Sequence, residues 1–242
     1  MTPDTICGVP AVAALFARRP DDALRLFHLA ELRQAVGPWC AMLAAARKPY
    51  RLLPPEQMAK VAGTPHHGGV AVVARPRRIG LFDAAQFLKH GPSAPRLLLV
   101  LDGIGNPHNL GAIARSAAFF GAGGLLIGES AGAAMPSDAA YRTAEGGLEY
   151  LHLYRAPALP TALAALQPPF LTVASSLSPN AAPLAELARD QPIALVLGNE
   201  EHGVSAPVLS ACRRRVRIAG AGPVQSLNVA QAAAVLLHAL CG

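Results

Sequence analysis

The chain has 242 residues, 52% hydrophobic and 15% charged, which is enough apolar material for one large domain or two modest ones. No apolar run approaches the roughly 18 residues of a membrane span: the nearest, Val229 to Cys241, is broken by Gln231 and His238. Met1 to Thr5 lacks a signal peptide's basic and apolar regions, so a cytoplasmic protein is expected.

Lysine and arginine total 21 against 15 acids, a net charge of +6. The arginines gather at Arg18-Arg19, at Arg75, Arg77 and Arg78, and at Arg213-Arg214-Arg215 with Arg217. Guanidinium groups meet phosphate oxygens bidentately, so these clusters suit nucleic acid. A compositional bias toward arginine and alanine would give the same clusters as solvated faces. Cys7, Cys40, Cys212 and Cys241 lie too far apart for a zinc site or a disulfide framework and read as small buried hydrophobes. His66-His67 has no further ligand beside it, and no metal is expected.

In chain order, Pro10 to Arg18 has helical spacing, Leu24 to Leu29 reads as a strand and Val36 to Arg47 as a helix. Tyr50 to Leu53 is a short strand, Pro55 to Val61 a helix with proline in its first turn, and Gly68 to Ala74 a buried strand. Proline and glycine at both ends of residues 76–95, around one helical piece from Ala84 to Leu88, mark a linker. A front domain at 1–75 and a second domain at 96–242 follow. The second domain alternates strands (Leu97–Leu101, Gly124–Ile127, Phe170–Ala174, Ile193–Leu197, Val216–Ile218) with helices (Asn109–Phe120, Leu159–Leu166, Pro183–Ala188, Ala206–Cys212, Leu227–Leu240). That alternation predicts an α/β fold with a parallel sheet covered on both faces.

Three Gly/Asn-rich turns follow strands of the second domain, where open α/β sheets bind ligands. The first runs from Leu101 through Asn109 to Arg115. Its Gly103, Gly105 and Gly111 miss the spacing of a dinucleotide fingerprint, and Pro107 sits where backbone amides would face a pyrophosphate. Asn109 is placed to cap the following helix. Arg115 then lies one to two turns inside it, either functional or paired with a carboxylate. The second turn takes a buried strand into Gly198, Glu200 and Glu201. In the third, the small residues Gly220, Ala221 and Gly222 permit close approach of a ligand, Ser226 can cap the last helix, and Asn228 falls in its first turn.

Together and in this order, Asn109-x-Gly111-x-x-x-Arg115, Gly198-x-Glu200-x-x-Gly203 and Ser226-Leu227-Asn228-Val229 resemble the signature motifs of the SpoU (TrmH-like) branch of the SPOUT RNA methyltransferases, over Leu97 to Leu240. The front part, from Gly8-Val-Pro-Ala-Val to His67-Gly-Gly-Val-Ala-Val, resembles the ribosomal-protein-like substrate-binding domain of many members. Two departures stand out. Ala219-Gly220 replaces the common Pro-Met, and His202 stands where glycine or a basic residue is frequent; both bear on cofactor fit or substrate choice.

The resemblance implies an α/β domain with a deep trefoil knot. It implies S-adenosylmethionine held by Gly198, Ile218, Leu227 and Gly222, and methyl transfer to a ribose 2'-hydroxyl of ribosomal or transfer RNA, with a slight lean to ribosomal RNA. Arg115 corresponds to the catalytic arginine, as general base or as a clamp on the RNA phosphate. Asn109 would orient the ribose or Arg115, and Glu200 would pair with Arg115 or shape the cofactor loop. Ser226 and Asn228 would hydrogen-bond substrate or cofactor. Family members are generally homodimers, and the last helix is the candidate interface, or else a core helix. The rival readings are a dinucleotide-dependent oxidoreductase, against which the glycine spacing argues, and a non-catalytic RNA-binding protein that retains the fold.

Overall fold

The computed structural model describes residues 2–89 and 96–241. The front part is a four-stranded sheet of β1 (Asp4–Cys7), β2 (Ala23–His28), β3 (Tyr50–Leu52) and β4 (Val70–Ala74), ordered β1-β4-β2-β3. β4 runs antiparallel to β1 and β2, and β3 runs parallel to β2. Helices α1 (Val9–Arg18), α2 (Gly37–Ala45) and α3 (Pro55–Ala62) complete it. α1 buries Ala11, Val12, Ala14, Leu15 and Phe16, a wide apolar stripe at helical period. β1 was not expected, because four residues beginning in Asp-Thr carry little pattern. Its pairing partner, β4, lies more than sixty residues away.

Among the described residues the second part holds eight strands, all parallel: β5 (Gly80–Leu81), β6 (Leu97–Asp102), β7 (Gly124–Gly128), β8 (His152–Ala156), β9 (Leu171–Ser175), β10 (Ala182–Pro183), β11 (Ile193–Gly198) and β12 (Arg214–Arg217). Their order is β10-β12-β9-β11-β6-β7-β8-β5. β11 thus lies between β9 and β6, two strands that precede it in the chain. The helices are α4 (Ala84–Leu88), α5 (Pro107–Phe119), α6 (Asp138–Ala144), α7 (Gly147–Tyr150), α8 (Leu159–Ala165), α9 (Ala206–Ala211) and α10 (Val229–Cys241).

Successive side chains of a strand point to opposite faces, and both faces here are covered. Leu97, Leu99 and Leu101 share a buried cluster with Ile113 of α5 and Leu237 of α10. Leu98 and Val100 join Phe87 of α4, Leu163 of α8 and Val208 of α9 on the other side. The first cluster continues through Tyr141 of α6 and Leu148 of α7 into Val12, Leu15, Leu26 and Val72 of the front part, so the two parts share one apolar core.

The structure departs from the sequence reading in several places. Residues 76–95 were expected to be a linker, yet β5 pairs with β8 at the sheet edge and Phe87 packs against Phe82, Tyr154 and Phe170. Two phenylalanines in a nominal linker can find burial only on the sheet. His90 to Pro95 lie outside the described residues. Pro183 to Ala188 is not a helix: β10 leads into a single 3-10 turn at Leu184–Glu186, with Pro183 extended at φ −56° and ψ 141°. α6, α7 and β8 were not anticipated at all. Of the cysteines, Cys7 is buried as expected, Cys40 and Cys212 are half-buried, and Cys241 is exposed. Arg19 and Arg77, placed among candidate phosphate contacts, instead turn inward onto the buried Glu149.

Candidate active site

The site forms at the carboxyl ends of β6 and β11 and at the start of α10. α5 opens with Pro107 in its first turn, and its cap is Asn106, whose Oδ1 accepts from the His108 amide at 2.8 Å. This corrects the expectation that Asn109 caps the helix. Freed of that role, Asn109 uses its amide elsewhere: Nδ2 donates to Glu200 Oε1, and Oδ1 accepts from Asn228 Nδ2 at 3.2 Å. Residues from all three turns therefore meet in one chain of hydrogen bonds, 91 and 119 positions from Asn109.

Asn228, not Ser226, caps α10. Its Oδ1 accepts from the Ala230 amide at 2.9 Å while its carbonyl accepts from Ala232 at 2.9 Å. Helix stability alone therefore justifies an asparagine at this position, and its Nδ2 remains available for Asn109. Ser226 lies exposed in the preceding loop.

The second turn is built around two residues that sequence reasoning passed over. Asn199 Oδ1 accepts from the amides of Glu201 at 2.9 Å and His202 at 3.2 Å, and its Nδ2 donates to the Gly103 carbonyl at 2.9 Å. Asp102 Oδ2 accepts from the Ser205 amide at 2.7 Å. Together they fasten the loop after β11 to the end of β6. A Gly-Asn pair after a strand was the available signal, since asparagine readily bonds the backbone two residues on. Gly198 is required by close approach: a Cβ there would lie 2.1 Å from Gly203 C and Val204 N.

Arg115 does not reach Glu200. Its Nη1 pairs with Glu145, just past α6, at 3.0 Å, with both side chains about half exposed. α6 can lie this close because residue 111 has no side chain; a Cβ there would sit 2.5 Å from the Ala140 carbonyl oxygen. The same approach brings Thr143 to His108, with Oγ1 and Nδ1 3.0 Å apart. Thr143 Oγ1 donates to the Ala139 carbonyl at 3.0 Å, so His108 Nδ1 is the donor to it. His108 and Arg115 are seven residues apart on α5 and share one stripe of the helix.

The four expected cofactor residues sit at the end of β11 and in the loop after β12. Gly198 is buried at the end of β11, Ile218 is half-buried just past β12, and Gly222 and Leu227 are exposed. Among the described residues, no backbone hydrogen bond to another main-chain group outside the strand ladder occupies positions 219–227. A Cβ at Gly220 or Gly222 would meet nothing within 4 Å. This stretch offers free main-chain donors and acceptors with open space beside them, which fits a ligand held largely by backbone groups. The described residues contain no group of three His, Cys, Asp or Glu placed to hold a metal ion, and no helix long and apolar enough to cross a membrane.

Comparison with known proteins identifies the family and the fold. Residues 96–238 match the SpoU rRNA Methylase family, and residues 5–79 match a domain described as RNA 2'-O ribose methyltransferase substrate binding. An uncharacterized tRNA/rRNA methyltransferase, YfiF, of Escherichia coli O157:H7 is 32% identical over 232 residues, covering 96% of this chain. The chain spans only 66% of that relative's length. The 23S rRNA (guanosine-2'-O-)-methyltransferase RlmB of Acinetobacter baylyi is 29% identical over 250 residues, covering 99% of this chain and 97% of that protein. The SpoU methyltransferase AviRb of Streptomyces viridochromogenes, solved with S-adenosylmethionine, is 25% identical with a TM-score of 0.74, covering 98% of this chain and 88% of that one. The α/β fold with its parallel eight-stranded sheet is thus the expected one, and the chain belongs to the SpoU family of RNA methyltransferases.

Proposed function

We propose that this protein transfers the methyl group of S-adenosylmethionine to a ribose 2'-hydroxyl of a structured ribosomal or transfer RNA, as a cytoplasmic homodimer. The observation that carries the reading is the Asn109–Glu200–Asn228 chain of hydrogen bonds, which gathers three distant turns beside the open loop at 219–227.

When bound, the cofactor supplies a methyl group on a positively charged sulfur. Gly198, Ile218, Gly222 and Leu227 are the residues we assign to holding it. Asn109 presents an amide fixed at both ends, its NH2 by Glu200 and its oxygen by Asn228, and so defines one wall of the site. Arg115 is exposed and keeps guanidinium donors beyond the one facing Glu145. Arginine scarcely deprotonates in proteins. Its role is therefore to clamp an RNA phosphate and polarise the hydroxyl, holding the nucleophile in line, rather than to take the proton. Ser226, without a partner among the described residues, lies in reach of a ligand in the loop.

Two surfaces support the remaining parts of the reading. Arg47, Tyr50 and Arg51 are exposed together around β3 of the front part, where an aromatic ring among cations suits RNA. Phe119, at the end of α5, is 83% exposed and stacks edge-on to Phe120, which packs on His238 of α10. A second copy of the chain covering this end would bury it.

Calorimetric titration with S-adenosylmethionine, S-adenosylhomocysteine and NAD tests the cofactor, and transfer of labelled methyl to total RNA tests the reaction. Binding of the sulfur ligands but not NAD, with methyl transfer lost in a folded Arg115→Ala variant, is the expected outcome. RNA binding without cofactor binding would make the protein a non-catalytic RNA-binding member of the family. Near-normal turnover of Arg115→Ala would remove that residue from the mechanism.

A further inference from the structure

Residues 145–149 touch both the functional stripe of α5 and the front part of the molecule. At one end, Glu145 stands 3.0 Å from Arg115 Nη1. Its backbone is left-handed, φ 44° and ψ 44°, a conformation that a side chain opposes by about 1–2 kcal/mol. Glycine would remove that opposition, and glycine does occupy the next position. An acid is nevertheless kept there, with its carboxylate on the guanidinium.

The neighbouring residues leave this segment little freedom. Gly146, at φ 93°, lies against α1: a Cβ there would come 2.8 Å from Ala14 Cβ and 3.1 Å from the Pro10 carbonyl. Gly147 lies against α5, where a Cβ would come 2.8 Å from Arg115 Cα. Glu149, 3% exposed, accepts from Arg19 Nε and Nη2 at 2.8 Å each, with Arg77 Nη1 3.7 Å away. Four of these five residues are therefore gripped, by α5 on one side and by α1 and Arg19 on the other.

We propose that Glu145 is a positioning residue for Arg115, and that docking of the front part, through Arg19 and Glu149, fixes where Glu145 stands. The proposal rests on the reading of Arg115 as essential. An exposed ion pair contributes little to stability. What this one supplies is orientation: one carboxylate engages Nη1 and leaves the remaining donors directed to the RNA. The RNA-binding part thereby sets the aim of the guanidinium as well as the affinity for substrate.

The test uses Glu145→Gln and Glu145→Gly in the full chain. Both variants should fold, and Glu145→Gly should melt at or above the parent temperature because the left-handed position is relieved. Affinities for S-adenosylmethionine and RNA should stay within about two-fold, while the single-turnover methyl-transfer rate falls on the order of 10- to 100-fold, as for a misplaced catalytic group. Glu145→Asp should recover part of that rate. In an Arg115→Lys background, Glu145→Gln should cost no further rate, because the two act as one unit. Parent-like rates in folded Glu145→Gly, or additive losses in the double variant, would overturn the proposal. Retained turnover in Arg115→Ala would instead overturn the reading of the site on which it rests.

Discussion

Gly111→Ala sets two physical effects against each other, and the structure decides the sign. In an isolated helix alanine is better than glycine by about 1 kcal/mol. At position 111, inside α5, the new Cβ would lie 2.5 Å from the Ala140 carbonyl oxygen, 2.8 Å from Thr143 Cβ and 3.1 Å from the Ala144 amide nitrogen. Two of these three atoms are backbone of α6, so no rotamer change relieves the contact and the helices must part. Overpacking of this kind costs about 1–3 kcal/mol, and the gap opened elsewhere along the pair forfeits part of its dispersion energy. The net expectation is a loss of about 1–2 kcal/mol, or a melting temperature lower by about 2–8 °C for a chain of this size. Differential scanning calorimetry measures it. Gly37→Ala is the control, because position 37, the first residue of α2, has nothing within 4 Å of the added methyl, and it should be neutral or slightly stabilising. A higher melting temperature for Gly111→Ala would refute the close α5–α6 contact as the reason for glycine in the first motif.

Further perturbations test the contact between the two parts. Glu149→Ala leaves Arg19 and Arg77 without their shared partner in a buried setting, and we expect a loss of about 3–5 kcal/mol by chemical denaturation. A loss under 1 kcal/mol would mean that the pair is solvated. Burial holds the Asp4 carboxyl above its ordinary range, with Arg19 only partly offsetting it. The charged form is thus disfavoured by folding, and its contribution to stability is best below the unfolded-state pKa and lost as pH rises through the folded one. Asp4→Asn should therefore raise stability at neutral pH, with the gain vanishing in acid. A gain that persists unchanged at low pH would assign the effect to another cause.

Strands β6, β7, β9 and β11 and helices α5, α8, α9 and α10 were legible because a parallel sheet buried on both faces writes itself as short apolar runs, as in Leu97 to Leu101 and Ile193 to Leu197, separated by helical spacing. The three polar residues that meet, Asn109, Glu200 and Asn228, could be singled out too, since they follow strands or open a helix at the end of the sheet where open α/β folds bind ligands. Their mutual bonding was not legible, because it depends on how β11 settles between β9 and β6 and on α10 packing against α5. The pairing of Arg115 went to Glu145 instead of Glu200 for a similar reason. α6 carries too few apolar residues to announce itself, and its closeness to α5 is set by the missing side chain at Gly111.

The sequence by itself determined the class of the fold, the order of most of its elements and the residue types brought to the site, since these follow from local periodicity and turn chemistry. Only the tertiary structure decided which arginines face solvent and which, like Arg19 and Arg77, are drawn inward by a buried carboxylate. It alone also joined the front part to the second through one continuous core, with strands as short as β1 and β5 completing the sheets. Such short strands and inward charges are stabilised by partners far away in the chain, so no local pattern records them.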